Sequence, residues 1–167
     1  QVNRPEPPDF IWPITSVNAL IEKSLALIQS AQKSILVSCW PNELEWLFEV
    51  LEGAKSRNTD IALVHFGEPG RSIGATYHHP VERTLYAEKG GRGFTLVVDG
   101  ESVVIANIAD DLIDACWSKN RAFVTVAEDY VKHDVYITKV TKHLSTEMTQ
   151  RYGAEYEQLR NIFDPEG

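Results

Sequence analysis

The chain has 167 residues, 43% of them hydrophobic and 24% charged, with four Trp, six Tyr and six Phe. That is the size and make-up of one globular domain with a core of its own, and it excludes a disordered or fibrous chain. Sixteen Lys+Arg against 24 Asp+Glu give a net charge of −8, and no basic run occurs, so this segment is not expected to grip a nucleic-acid backbone directly. No apolar run approaches the ~18 residues needed to cross a bilayer. The opening Gln1-Val2-Asn3-Arg4-Pro5 is not signal-like, so a cytoplasmic location is expected. Lacking an initiator Met, it also reads as a start inside a longer protein.

Pro5, Pro7, Pro8 and Pro13 make residues 1–15 an expected linker or surface strap. Ser16 suits the N-cap of a helix whose apolar positions Val17, Leu20, Ile21, Leu25 and Ile28 follow the 3.6-residue period. The run Ile35-Leu36-Val37-Ser38-Cys39-Trp40 reads as a buried strand. A second helix is expected to start at Asn42, with Glu45 three residues on as a capping-box partner and Leu44, Leu47, Phe48 and Leu51 as its apolar stripe. Ile61-Ala62-Leu63-Val64-His65-Phe66 is a second buried strand. Two continuous apolar strands joined through a helix describe a parallel pair covered on both faces.

Residues 67–80 hold Gly67, Pro69, Gly70, Gly74 and Pro80, an irregular segment expected to face a ligand. Residues 81–89 fit a short helix or a strand. Asp99-Gly100 between the β-branched runs 94–98 and 103–106 marks a hairpin. After Ala115-Cys116-Trp117 a long helical pattern runs from Asn120 to near Phe163, with Gly153 as its break.

Ligands of parallel sheets gather at the carboxyl ends of the strands, which here are Ser38-Cys39-Trp40 and His65-Phe66-Gly67. A thiol, an imidazole and two aromatic rings would suit a small polar or sugar-like ligand, although Trp40 and Phe66 serve equally as plugs for the sheet end. Cys39 and Cys116 read as free buried thiols, and without Cys-x-x-Cys spacing they exclude a zinc site of that kind. His78 and Glu82 could share one side of a helix turn as metal ligands, but Pro80 intervenes and no third ligand is spaced to join them. No metal or cofactor is therefore expected. Asp99 is expected to serve the turn, and Ser118 or Asn120 to cap the following helix. No phosphate loop, nucleophile elbow or Cys/His signature is present.

Residues 93–106 resemble one half of a phospholipase D-type domain. That superfamily carries His-x-Lys, four residues, Asp, then six residues and Gly-Ser. Asp99 matches the Asp, while Arg92 stands at the His position, Phe94 at the Lys position and Ala106-Asn107 at the Gly-Ser position. The attacking imidazole and the phosphate-holding amine are both replaced, so the resemblance implies the frame without the reaction. Further stretches are similar to the sensor domain of TrmB-like transcriptional regulators. They are Arg4-Pro5 with Trp12-Pro13-Ile14, residues 31–41, residues 61–67, Val98-Asp99-Gly100, and Trp117-Ser118-Lys119-Asn120 on to residues 130–136. This likeness spans about residues 4–163.

The resemblance implies an α/β domain with a mixed sheet flanked by helices, like half of a phospholipase D fold, ending in a long C-terminal helix. Residues 16–167 would form it, with 1–15 as the linker from a winged-helix domain. It further implies a catalytically inactive effector-sensing and dimerisation domain, a homodimer that reaches DNA only through that winged helix. The effector would be a small molecule such as a sugar or phosphorylated metabolite. Its expected contacts are Cys39, Trp40, His65, Phe66, His78, Arg92, Trp117 and Asn120, with Arg92 suited to an anionic group. An active phosphodiesterase and a dimerisation module without a ligand are the alternatives.

Overall fold

The computed structural model describes residues 10–68, 70–80, 82–110 and 112–165, the side chains of 82–85 excepted. A seven-stranded mixed sheet runs in the order β1-β7-β6-β5-β2-β3-β4. Its strands are β1 (Ile11–Ile14), β2 (Ser34–Cys39), β3 (Asp60–His65), β4 (Ala75–His78), β5 (Arg92–Val98), β6 (Ser102–Ala109) and β7 (Leu112–Ser118). Strands β2, β3 and β4 are parallel, and the rest join antiparallel. The helices are α1 (Val17–Ser30), α2 (Pro41–Ser56), α3 (Glu82–Lys89), α4 (Arg121–His143) and α5 (Ser145–Tyr152). This is the mixed, helix-flanked sheet with a long C-terminal helix that the sequence led us to expect.

The parallel β2–α2–β3 unit places α1 and α2 on one face. There Leu20, Ile28, Leu47 and Leu51 pack on Ile35, Val37, Leu63, Leu96 and Val104. The opposite face takes α4, through Val124 and Ala127 on Val97 and Val103, and Val131 on Val64 and Phe66. Strands β2 and β3 are thus covered on both faces, which is why they read as unbroken apolar runs. Ser16 caps α1 by accepting from the Ala19 N–H at 3.1 Å. Asn120 caps α4 in the same way, accepting from Phe123 N–H at 3.0 Å.

Several local expectations are corrected. Residues 1–9 lie outside the described residues, but Ile11–Ile14, expected within the linker, pairs with β7 as an edge strand. Pro13 is tolerated because an edge strand has a side that needs no N–H donor. The irregular stretch after β3 contains β4, where Gly74 (φ 61) lets the chain pass against the Ile61 carbonyl, a spot with no room for a Cβ. Residues 82–89 resolve to a helix. Helix α2 begins at Pro41 with Trp40 as N-cap, without a side-chain capping bond. Glu45, expected as a capping partner, instead lies on the surface 3.8 Å from Arg71. The long C-terminal helix breaks first at Leu144 (φ −121) and again at Gly153 (φ 91).

The hairpin turn is fixed by more than its backbone. Asp99 (φ 56) and Gly100 (φ 65) both sit at positive φ, as a primed turn requires. The Asp99 carboxylate also accepts N–H bonds from Gln32, Lys33 and Ser34, the tightest from Lys33 at 2.7 Å. These three donors follow α1, so one side chain ties the hairpin to the start of β2. Burial alone would push the Asp99 carboxyl up, yet the three donors and the Lys33 charge together hold it below the usual carboxylate range.

Candidate functional site

The carboxyl ends of β2, β3 and β4 line up in register, Cys39 beside His65 and His65 beside His78. Antiparallel β5 starts at the same end, so Arg92 arrives there too. Of the eight residues proposed from sequence, the fold therefore gathers six: Cys39, Trp40, His65, Phe66, His78 and Arg92. Trp117 and Asn120 are placed elsewhere. Their strand ends beside Val103, at the opposite end of the sheet, because the two hairpins β5–β6 and β6–β7 reverse the chain. Trp117 stacks at 6.5 Å on Trp12 under the Lys23 ammonium, which lies 3.4 Å from its ring. Asn120 is engaged as the α4 cap.

At the gathered end the crevice is filled. Arg92 Nε donates to Glu43 Oε1 at 3.0 Å, and Glu43, in the first turn of α2, is wholly buried. Burial pushes the Glu43 carboxyl up, and the Arg92 hydrogen bond and charge pull it back only in part. The other oxygen, Oε2, has no hydrogen-bond partner among the described residues. Phe94, set by the phospholipase D-type resemblance at the motif's Lys position, is 2% exposed. Cys39 and His65 are fully buried, and His65 Nδ1 lies 2.7 Å from the Gly67 carbonyl oxygen. Burial first, then the Glu43 charge, raises the Cys39 thiol far above its ordinary range.

Both thiols are free, Cys39 buried and Cys116 half-buried. Thiolate formation and access control alkylation. The native protein is therefore expected to titrate at most one thiol with a disulfide reagent, rising to two on denaturation. Prompt reaction at Cys39 in the native state would contradict this packing.

Beside the filled crevice, aromatic rings link the strand ends to the helices. Trp40 stacks on Phe66 at 5.4 Å and meets Tyr86 of α3 edge-on at 5.8 Å. Phe66 contacts His79 at 4.8 Å, and His79 Nε2 lies 3.5 Å from Asp134 of α4. Two cavities flank this cluster. One, about 440 Å³, lies between β5–β6 and α4, lined by Lys89, Gly93, Thr95, Asn107, Phe123 and Tyr130 among others. The second, about 670 Å³, lies between β4 and the end of α4, with His78 on its wall. Among the described residues no three His, Cys, Asp or Glu side chains gather as metal ligands. The side chain of Glu82, the residue weighed from sequence as a companion to His78, lies outside the described ones.

Sequence reasoning missed Glu43. It sits four residues before Leu47 on the inward stripe of α2, and a carboxylate on an apolar stripe is the signal that could have revealed it. Tyr86 and Asp134 carried no comparable mark.

The class so defined is an α/β domain with a mixed sheet whose strand-tip crevice is closed by an ion pair. The family model "Transcriptional regulator TrmB, EBD N-terminal subdomain" matches residues 10–136, and the chain belongs to that family. The curated protein YrhO of Bacillus subtilis, described as uncharacterized, is 25% identical over 155 residues, covering 92% of this chain. The chain spans 56% of that relative's length. Among solved structures, TrmBL2, an archaeal chromatin protein, aligns over 74% of this chain and 50% of its own at 14% identity, TM-score 0.53. NucT from Helicobacter pylori aligns over 76% and 96% at 8% identity, TM-score 0.57. At such identities the likeness concerns the fold. No described helix is long and apolar enough to cross a membrane.

Proposed function

We propose that this chain is the effector-sensing and dimerisation part of a cytoplasmic TrmB-type regulator and has no hydrolytic activity. The observation that carries the reading is the state of the phospholipase D-type motif. Its attacking position is held by Arg92, tied to Glu43, and its amine position by buried Phe94. Its Asp survives as Asp99, spent on three backbone donors. A guanidinium locked to a carboxylate is neither a nucleophile nor a base.

The accessible tip residues Trp40, His78 and Arg92, with Phe66 behind Trp40, are the proposed effector contacts, and Cys39 and His65 form the buried floor. Trp117 and Asn120 drop out, being at the other end of the sheet. TrmBL2 is described as having its own mode of DNA binding. For this acidic chain, DNA contact is assigned to a winged-helix segment outside residues 1–167, which the ligand would steer by favouring one arrangement of two subunits.

The second copy is expected on α4. Val126, Tyr130, Ile137, Val140 and Leu144 are all more than a third exposed. With His133 they recur at alternating four- and three-residue spacing, the pattern that packs against an identical helix. Charging that seam with Ile137→Glu and Val140→Glu is expected to give a folded monomer by light scattering after size exclusion. A dimer that survives both charges would rule the seam out.

The reading is tested by two measurements. A generic phosphodiester should show no turnover above a blank, since real hydrolysis that tracks with the protein would defeat it. Thermal-shift screening against small metabolites should reveal at least one that stabilises the fold, because any ligand bound to the native state alone must do so. A pure scaffold would show none.

A further inference from the structure

We infer that the cavity between β4 and the C-terminal third of α4 binds a phosphomonoester with a hydroxylated body. The inference rests on the sensor reading for its purpose and on the cavity's own chemistry for its ligand. At about 670 Å³ the space lies within the range of small-molecule sites. Its wall brings together Lys139, Lys142 and His143 from α4 and His78 from β4, and among the described side chains no Asp or Glu lines it. In a chain of net charge −8, four cationic or protonatable groups gathered around one hollow form a local field that favours an anion.

Other bases of the chain do have a carboxylate at hand. Arg71, Arg92, Lys132 and Arg160 each lie within 4.0 Å of a carboxylate. Among the described residues neither Lys139 nor Lys142 has such a partner. The Lys139 ammonium lies 5.8 Å from the centroid of the Tyr77 ring, a contact that leaves its three N–H donors available. The helix dipole explains why Lys142 and His143 stand in the last turn of α4. It does not explain Lys139 a turn earlier, or His78 arriving from a different element.

The remaining wall suits the body of such a ligand. Tyr77 and Tyr156 supply hydroxyl donors and ring faces. The Thr138 and Thr141 hydroxyls donate back to the Asp134 and Ile137 carbonyls at 2.8 and 2.9 Å, so toward a ligand they offer oxygen lone pairs that match sugar-type O–H groups. A phosphate held here would bridge the edge strand to the helix that carries the exposed seam. Occupancy would thereby bias the angle of α4 and so the arrangement of two subunits.

Calorimetry on this domain with glucose 6-phosphate, inorganic phosphate and glucose tests the assignment, repeated on Lys139→Ala/Lys142→Ala. Both lysines are exposed, so the variant should keep its melting temperature. Glucose 6-phosphate is expected to bind tighter than inorganic phosphate, glucose not at all, and the double variant to lose about tenfold or more in affinity, the scale of one or two charge-assisted contacts. Unchanged affinity in the double variant, or no binding of either phosphate probe, would overturn the site. Equal affinity for the two phosphate probes would overturn the hydroxylated body. If the probe binds and the variant loses it while the subunit equilibrium stays unmoved, the site stands and the sensing role falls.

Discussion

Arg92→Ala is expected to destabilise the domain by about 3 kcal/mol, since removing one partner of a buried pair leaves the other charge uncompensated. Glu43 is fully buried, whereas the Arg92 side chain keeps 22% of its exposure, which puts the effect at the lower end of the range for such pairs. For a domain of this size the melting temperature should fall by about 10 °C. The variant has one escape, protonation of Glu43, because burial already pushes that carboxyl up and Arg92 is what pulls it back. A carboxyl raised in the folded state binds its proton more firmly there than in the unfolded chain. Stability from that proton is present at low pH and lost as pH rises through the folded value. The deficit of Arg92→Ala relative to the parent should therefore shrink between neutral pH and pH 5. Glu43→Gln in the same background should relieve much of it at pH 7. A small, pH-independent loss in Arg92→Ala would mean that the pair does not hold the crevice shut.

Asp99→Ala is expected to be comparably damaging, at about 3 kcal/mol. A hydrogen bond to a charged group is worth about 1.5–3 kcal/mol, and three of them converge here, although bonds sharing one acceptor do not add in full. Alanine also lacks the tolerance of positive φ that Asp shows at this turn. Asp99→Asn keeps the conformation and one acceptor oxygen, so it should recover part of the loss. The folded carboxyl is held low by its donors, so its contribution is present above the unfolded value and fades as pH falls through the folded one. Chemical denaturation of the parent at pH 7 and pH 3 should show this acid-linked loss, and Asp99→Asn should show less of it. Equal acid sensitivity in the two proteins would remove Asp99 as its source. The same residue that the phospholipase D-type motif supplies to an enzyme is thus expected to persist here for stability alone.

Features carried by neighbouring residues were legible in the sequence. The apolar runs 35–40 and 61–66 specify β2 and β3 because both faces of those strands are covered. Asp99-Gly100 specifies the hairpin because few other residues accept two consecutive positive φ values. Ser16 and Asn120 specify helix starts because a short oxygen-bearing side chain reaches the third N–H. The resemblance to the phospholipase D-type motif, with Arg92 and Phe94 at its His and Lys positions, likewise rests on residues a few places apart. Strands β1 and β4 were not legible. Each has four residues at a sheet edge, too few for a period of two to stand out, and one carries a proline.

The sequence by itself determined the acidic charge balance, the α/β class and the turn at Asp99, since each depends on composition or on residues a few positions apart. Tertiary structure alone decided that Glu43 meets Arg92, 49 residues away, and that Trp117 and Asn120 belong to the far end of the sheet. It alone also decided that His78 shares a basic cavity with Lys139 and Lys142. Those outcomes follow from strand direction and register. A reversal of one strand or a shift of its pairing carries every side chain on it to another end or face of the sheet, and local periodicity holds no record of that choice.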